Sequence, residues 1–126
     1  FFLIIILSLL RQIVAIKEVT ADVLLGAFSG YFLLGINCFF IFMLIDIANP
    51  HELYGLHTDS IIRENQIFYF TFTCLSTLGF GDIVATTIVG QKMAIFTAAL
   101  GQFYIAVVVA ILISRMMMHL STKIED

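Results

Sequence analysis

Two long apolar segments dominate the sequence, and a polar segment followed by a shorter apolar one lies between them. The first long segment covers residues 23–45 and the second covers residues 93–114. A helix as long as the first segment reaches about 34 Å, which is enough to cross the roughly 30 Å hydrocarbon core of a bilayer. We therefore predict an outer membrane-spanning helix over 21–47 and an inner one over 89–119.

The shorter apolar segment, 66–76, follows a polar loop over 48–65 and is too short to span a bilayer. Residues without helical or strand periodicity follow it over 77–87. Irregular backbone is tolerated at membrane depth only where protein buries it or where it lines a water-filled cavity. The pattern therefore predicts a re-entrant pore helix over 66–76 beside an aqueous pathway.

The first twenty residues form a weaker segment. An apolar run over 1–16 is broken by Arg11 and Gln12, and apolar and charged residues alternate beyond them. Residues 1–20 are interpreted either as the end of another spanning helix or as a segment lying on the membrane surface. Because the chain starts abruptly on apolar residues, we expect it to be part of a longer membrane protein. At the other end, 120–126 is expected to be a cytoplasmic tail.

Composition makes lipid the expected solvent for much of this chain. Of the 126 residues, 61% are hydrophobic and 12% are charged, with a mean hydropathy of +1.09, whereas a soluble domain is about half apolar and a quarter charged. The sequence has no Lys/Arg cluster, which argues against a nucleic-acid partner. It also has no Ser/His/Asp set or His-Glu-x-x-His motif, so we predict that it is not an enzyme. Cys38 and Cys74 lack metal-ligand spacing and are expected to be free thiols.

Positive charge predicts the orientation. Four basic residues flank the two long apolar segments, 23–45 and 93–114, and two lie between these segments: Arg11, Lys17, Arg115 and Lys123 on the flanks, Arg63 and Lys92 between. The positive-inside rule assigns the flanks to the cytoplasm. We therefore expect a multi-pass protein of the cell membrane in which both ends of the pore domain are cytoplasmic.

The segment that carries chemistry is Thr77-Leu78-Gly79-Phe80-Gly81-Asp82. A pore that passes a dehydrated cation must replace the lost water with fixed oxygen atoms. Successive carbonyls of an extended strand point in opposite directions. Pointing them the same way requires alternating hands of backbone conformation, and glycine reaches positive φ without steric cost. Gly79 and Gly81 occupy the alternate positions that this arrangement needs, and the Thr77 hydroxyl can add a further oxygen.

The helix before this loop is expected to favour a cation as well. If 66–76 is helical, its C-terminal carbonyls face the loop and carry roughly half a negative charge. That charge would offset part of the cost of placing an ion partway across the membrane.

The filter segment has the pattern Thr-x-Gly-(Tyr/Phe)-Gly-Asp and lies between a short apolar helix and a long one, an arrangement that resembles the signature of potassium channels. Residues 19–35 are in addition similar to bacterial ion-channel proteins. The resemblance covers 21–119. It implies an all-α integral membrane fold with an outer helix, a re-entrant pore helix with a filter loop and an inner helix. It also implies a homotetramer around one central pore, in contact with membrane lipid.

The resemblance also assigns roles to individual residues. Permeant K⁺ ions, with no organic cofactor, would bind the carbonyls of Thr77, Leu78, Gly79 and Phe80, and Asp82 would stand at the outer mouth. The inner helix would have a gating hinge at Gly101 and a cavity-lining face at Gln102, Ile105, Val109 and Ile113. Two of these roles have open alternatives, since a glycine in a membrane helix often serves close packing and Gln102 could form an interhelical hydrogen bond.

Three residues depart from the commoner pattern of that family. Phe80 lacks the hydroxyl of the usual tyrosine, Leu78 replaces valine, and Thr73 stands where some members have a glutamate that pairs with the filter aspartate. Asp82 is therefore expected to have few local partners, which would weaken the outer part of the filter.

The sequence predicts a potassium-selective channel, and two other functions remain open. One is a non-selective monovalent cation channel, and the other is a non-conducting membrane subunit with a relic filter. The intact Thr77, Gly79 and Gly81 argue against the relic.

Overall fold

Three helices make up most of the part of the chain that the structure, a computed structural model, describes: residues 21–49 and 53–125. Helix α1 is Ala21–Ala48, strand β1 is Leu53–Tyr54, helix α2 is Ser60–Leu75, strand β2 is Val84–Ala85 and helix α3 is Ile88–Glu125. The expected all-α architecture, with a short helix between two long ones along the chain, is confirmed. The predicted N-terminal segment, 1–20, lies outside the described residues.

Helices α1 and α3 have the length and composition of membrane spans, over Val23–Ala48 and Ile88–Ser114. Many of their large apolar side chains are exposed on the single chain; Leu44 is 67% exposed and Phe103 is 71% exposed. Lipid or another protein chain must cover such a surface, because exposing so large an apolar area to water is unfavourable.

The short helix α2 is longer than its apolar pattern predicts, because it begins at Ser60 and not at residue 66. Asp59 caps its first turn: the carboxylate accepts hydrogen bonds from the backbone N–H groups of Ile61 (3.0 Å) and Ile62 (3.4 Å). This cap satisfies two of the N–H groups that a helix start leaves unpaired. The first two turns are mostly exposed and polar, and for that reason the hydrophobic pattern assigned them to the outer loop.

The two long helices match their predicted starts to within one residue, and the inner one is longer than expected. Helix α1 ends at Ala48, one residue beyond the predicted 47. Helix α3 continues to Glu125, through residues 120–125 of the segment that was expected to be a cytoplasmic tail.

A two-residue antiparallel pairing, which the sequence pattern did not predict, joins the segment after α1 to the segment after the filter. Leu53 pairs with Ala85 and Tyr54 pairs with Val84. Gly55 follows with φ of 96°, and a side chain there would collide with the backbone carbonyl of Asp82. The pairing therefore fixes the exit of the filter loop against the outer loop.

The chain forms two compact units, and the unit Gly35–Gln102 contains the whole filter segment. Its core consists of buried residues from α1, β1, α2 and the position just before β2: Phe42, Leu53, Ile67, Phe70 and Ile83. The rings of Phe42 and Phe70 meet edge to face with centroids 5.2 Å apart, a preferred geometry for aromatic pairs.

The other unit consists, in its described part, of residues 21–34 and 103–125. Here the buried Tyr104 of α3 donates a hydrogen bond from its hydroxyl to the Ala27 carbonyl of α1, at 2.6 Å. Gly30 makes room for the Tyr104 ring, because a side chain at Gly30 would collide with it. A small residue thus permits close approach of the two helices, as is common within membranes.

Candidate functional site: a filter loop at the end of a re-entrant helix

The last turn of α2 is tied directly to the loop that follows it. The backbone N–H of Thr77 donates to the Cys74 carbonyl (3.0 Å), and that of Gly79 donates to the Thr73 carbonyl (3.2 Å). The Ser76 hydroxyl donates to the Phe72 carbonyl at 2.6 Å. The negative end of the helix therefore faces the filter segment, as the sequence predicted, and three hydrogen bonds fix the start of the loop.

The backbone of the filter segment alternates in hand. Thr77, Gly79 and Gly81 have φ values of 60°, 49° and 81°, and the intervening residues do not have positive φ. Positive φ at the two glycines was predicted from their spacing. Positive φ at Thr77 was not, because a β-branched residue rarely adopts it. The alternation of backbone hand therefore begins at Thr77, two residues before the first glycine, and the glycine positions alone do not predict this.

All six filter residues, 77–82, are exposed on the single chain. The apolar side chains of Leu78 and Phe80 are 62% and 66% exposed. In α2, Thr71 and Thr73 are buried, and their hydroxyls donate to the carbonyls of Ile67 and Phe70, each at 2.8 Å. The Thr73 carbonyl in turn accepts the hydrogen bond from Gly79, so this buried part of α2 supports the exposed loop.

Tyr69 of α2 supports the outer part of the filter in two ways. Its ring stacks parallel to that of Phe80, with centroids 6.3 Å apart and an interplanar angle of 4°. The Asp82 carboxylate interacts with the Tyr69 hydroxyl closely enough to raise the pKa of Tyr69. Tyr69, one turn before Thr73, is therefore a local partner of Asp82 that the family pattern did not indicate.

The pKa of Tyr69 reflects this position. Partial burial raises its pKa above the ordinary 10.0, and the hydrogen bond and the negative charge of Asp82 raise it further. All three effects favour the neutral hydroxyl, which is the form that can donate to a carboxylate.

Gly101 of α3 lies directly against the end of α2. A β-carbon at this position would collide with the backbone carbonyl of Leu75, the last residue of α2. This contact with Leu75 is a specific reason for a glycine at position 101, and it favours the alternative that Gly101 serves close helix packing. Its role as a gating hinge stays a prediction.

Gln102, the next residue, reaches the filter itself. Its amide Nε2 donates a hydrogen bond to the Thr77 hydroxyl oxygen Oγ1 at 3.2 Å. This is not the interhelical hydrogen bond considered for Gln102, because its acceptor is the first residue of the filter loop, beyond the end of α2 at Leu75. The side chain is exposed, as a residue lining a cavity below the filter would be.

The other three predicted cavity residues belong to the second unit. Ile105, Val109 and Ile113 are exposed on α3, at 45%, 45% and 54%. Ile105 and Val109 border an apolar crevice that includes Phe28 and Tyr31 of α1. Their assignment to a central cavity stays a prediction.

An ion pair connects α1 and α2 on the outer-loop side of the unit Gly35–Gln102. Arg63 in the first turns of α2 binds Asp46 in the last turn of α1 with two hydrogen bonds, from Nε at 2.7 Å and from Nη2 at 2.6 Å. The Asp46 side chain is 9% exposed and that of Arg63 is 24% exposed. The hydrogen bonds to Asp46 raise the pKa of Arg63, although partial burial opposes the effect.

Side-chain ligands for a transition metal are not grouped anywhere in the described part of the chain, where no cluster of three or more His, Cys, Asp or Glu residues occurs. Cys38 and Cys74 are free thiols, as expected. The oxygen atoms of residues 77–81 are backbone carbonyls and the Thr77 hydroxyl, which suit a weakly bound monovalent cation, and Asp82 adds a carboxylate.

Comparison with known proteins gives one match. A family model described as "Ion channel" matches residues 60–118, from the first residue of α2 through the filter segment and most of α3. No curated protein and no solved structure matches the chain. Over residues 60–118 the chain is thus similar to ion channels, and this similarity, together with the two span-length helices, supports a location in a membrane.

Proposed function

We propose that this chain forms a potassium-selective channel, which conducts K⁺ passively through a homotetrameric, carbonyl-lined filter. The observation that carries the proposal is the alternation of positive φ at Thr77, Gly79 and Gly81, directly after the negative end of a re-entrant helix. The match of 60–118 to an ion channel family supports the coarser part of the proposal.

The alternation is what an oxygen ladder requires. A cation that sheds its water needs several oxygen atoms at once from a fixed cage. A single chain contributes one column of oxygens from Thr77, Leu78, Gly79 and Phe80, so several chains must surround the ion. The exposure of 77–82 on the single chain leaves this column accessible to an axis shared with other copies.

The surroundings of the ladder favour positive charge. The C-terminal end of α2 carries roughly half a negative charge, and Asp82 adds a carboxylate at the proposed outer mouth. With the basic residues of the flanks in the cytoplasm, Thr77 would lie at the inner end of the filter in the cell membrane. The bound K⁺ ions would be the permeant substrate.

The proposal can be tested by measuring reversal potentials. The purified protein would be incorporated into planar bilayers with KCl on one side and NaCl at equal concentration on the other. A potassium-selective channel gives a large reversal potential with the KCl side negative, because K⁺ leaves that side and Na⁺ does not replace it. A reversal potential near zero would instead establish a non-selective cation channel, and reproducible insertion without current would establish a non-conducting subunit.

A further inference from the structure

We infer that Gln102 is a positioning residue for the innermost ion site of the proposed filter, and that it acts through the Thr77 hydroxyl. The inference rests on the proposed potassium-channel function. It goes beyond a cavity-lining role, because it assigns to Gln102 one particular hydrogen bond and one particular end of the filter.

The first step is the chemistry of the hydroxyl. A threonine hydroxyl has one hydrogen to donate and two lone pairs to offer. The Gln102 amide donates to Oγ1 at 3.2 Å, so it occupies one lone pair and restricts rotation about the Cβ–Oγ bond. The second lone pair remains for a cation. Without the amide, the hydroxyl can rotate so that its positive hydrogen faces the ion.

The second step is the rigidity of the donor. The residue before Gln102 is Gly101, and the Leu75 carbonyl lies where a Gly101 side chain would be. Two successive residues of α3 therefore contact the two ends of a short connection: Gly101 contacts Leu75, and Gln102 contacts Thr77. This double contact sets the distance from α3 to the filter entrance, so the amide is held in place by the backbone.

The third step concerns direction. Thr77 is the first residue of the filter and Asp82 the last, so the hydroxyl belongs to one end of the ion path only. Loss of the Gln102 amide should weaken ion binding at the Thr77 end and leave the Asp82 end unaffected. This asymmetry separates a positioning role from a general loosening of the pore.

The test is single-channel conductance as a function of K⁺ concentration, varied on one side of the membrane at a time. Gln102→Met keeps the length of the side chain and removes the donor. It should raise the K⁺ concentration for half-maximal conductance roughly fivefold when K⁺ is varied on the Thr77 side, as expected for loss of one hydrogen bond. The value for the Asp82 side should stay unchanged.

Gln91→Met is a matched control on the same helix. Gln91 also donates from its amide Nε2, at 3.3 Å, but its acceptor is the Ala85 carbonyl in the segment after the filter. This variant should leave the Thr77-side dependence as it is in the unmodified protein. Should Gln102→Met fail to assemble, Gln102→Leu makes the same removal with a residue of high helix propensity.

The dependence on Thr77 can be tested in the same assay. Thr77→Ser keeps the acceptor, so Gln102→Met should have the same effect in that background. Thr77→Val removes the acceptor, so Gln102→Met should have almost none. An equal shift on both sides of the membrane, or an equal effect in the Thr77→Val background, would overturn the inference while a K⁺-selective current persists. Absence of K⁺ selectivity in the unmodified protein would overturn the proposed function instead.

Discussion

Backbone conformation, and not lack of space, explains the glycines of the filter. No heavy atom lies within 4 Å of where a β-carbon would stand at Gly79 or at Gly81, yet both have positive φ. A side chain at either position would therefore meet no neighbour in its own chain. The cost of substitution comes from the left-handed conformation itself, about 1 to 2 kcal/mol per residue.

Gly79→Ala tests this account. The alanine should move φ out of the left-handed region, turn one carbonyl of the column and abolish K⁺-selective current. Bilayer recordings of the reversal potential would measure the effect. Gly26→Ala is the control, since Gly26 also has open space around it but lies in α1 without positive φ. Selective current through Gly79→Ala would mean that this segment is not the filter.

The second prediction at this scale concerns the hydrogen bond between Tyr69 and Asp82. Tyr69→Phe keeps the ring that stacks on Phe80 and removes the hydroxyl. We expect a lower melting temperature for the assembled protein, most clearly in low K⁺, where ions stabilise the filter least. Tyr54→Phe should have no effect, because Tyr54 is 72% exposed.

The same pair predicts a pH dependence. The pKa of Tyr69 is raised above 10.0 in the folded protein, so the folded state holds this proton more tightly than the unfolded state. The stabilisation is therefore fully present below about pH 10 and is lost as the pH rises through the raised value. The difference in melting temperature between the unmodified protein and Tyr69→Phe should be constant up to about pH 10 and shrink above it. A constant difference at higher pH would contradict the pairing.

At the scale of the elements, α2 is held at both ends by different interactions. Its N-terminal turns bind α1 through the pair of Arg63 and Asp46, and its C-terminal residue packs on Gly101. The filter follows directly, so its position depends on both attachments. A substitution at either end of α2 should therefore change how firmly the filter loop is held in position.

Replacing Arg63 and replacing Asp46 should lower the free energy of unfolding by different amounts. Arg63→Ala would leave the carboxylate of Asp46 buried without its bidentate partner, at a cost of about 3 kcal/mol. Asp46→Ala would leave Arg63, whose side chain is 24% exposed and can turn toward water, so the cost should be about 1 kcal/mol. Denaturant unfolding in detergent would measure both, with the exposed Lys92→Met as control. Equal losses would show that burial of Asp46 is not the deciding factor.

Gly101→Ala distinguishes packing from a hinge. If the contact with Leu75 matters most, the added methyl group must displace α3 from α2, and the melting temperature of the assembly should fall by several degrees. If flexibility matters most, the melting temperature should be unchanged and the open probability should change. Gly26→Ala again serves as the control for replacing a glycine in a spanning helix.

The sequence predicted the elements with strong hydrophobic patterns and missed those without them. The long apolar runs predicted α1 and α3, and the spacing of Gly79 and Gly81 predicted their positive φ. The first six residues of α2 were missed because most of them are polar, although Asp59 at the N-cap position is a signal for the start of a helix.

Other features of the site depend on residues that are distant in the sequence. The strands β1 and β2 are two residues each and have no detectable period of their own. The bonds from Tyr69 to Asp82 and from Gln102 to Thr77 join side chains 13 and 25 positions apart. Only the folded arrangement of α2, the loop and α3 brings them together, and single-residue propensities contain no information about it.

At the scale of the whole molecule, the single chain has more apolar surface than it can bury. Large side chains of α1 and α3 remain exposed, including Leu25 and Ile95 at 64% and 71%. The filter segment 77–82 is exposed as well. Lipid can cover the helices, but only other polypeptide oxygens can complete a cage around an ion. These two needs are met together if several copies surround one axis.

The last prediction is therefore a homotetramer with fourfold symmetry. Most oligomers of identical chains close on themselves by rotation, and a column of carbonyls on each of four chains gives an ion eight oxygens from two successive layers. Cross-linking in mild detergent should produce a ladder that ends at four. A sample denatured before cross-linking should give monomer, which controls for random contact. A clean ladder ending at two would contradict one filter segment per chain, because two columns leave a dehydrated ion open to the bilayer on both sides.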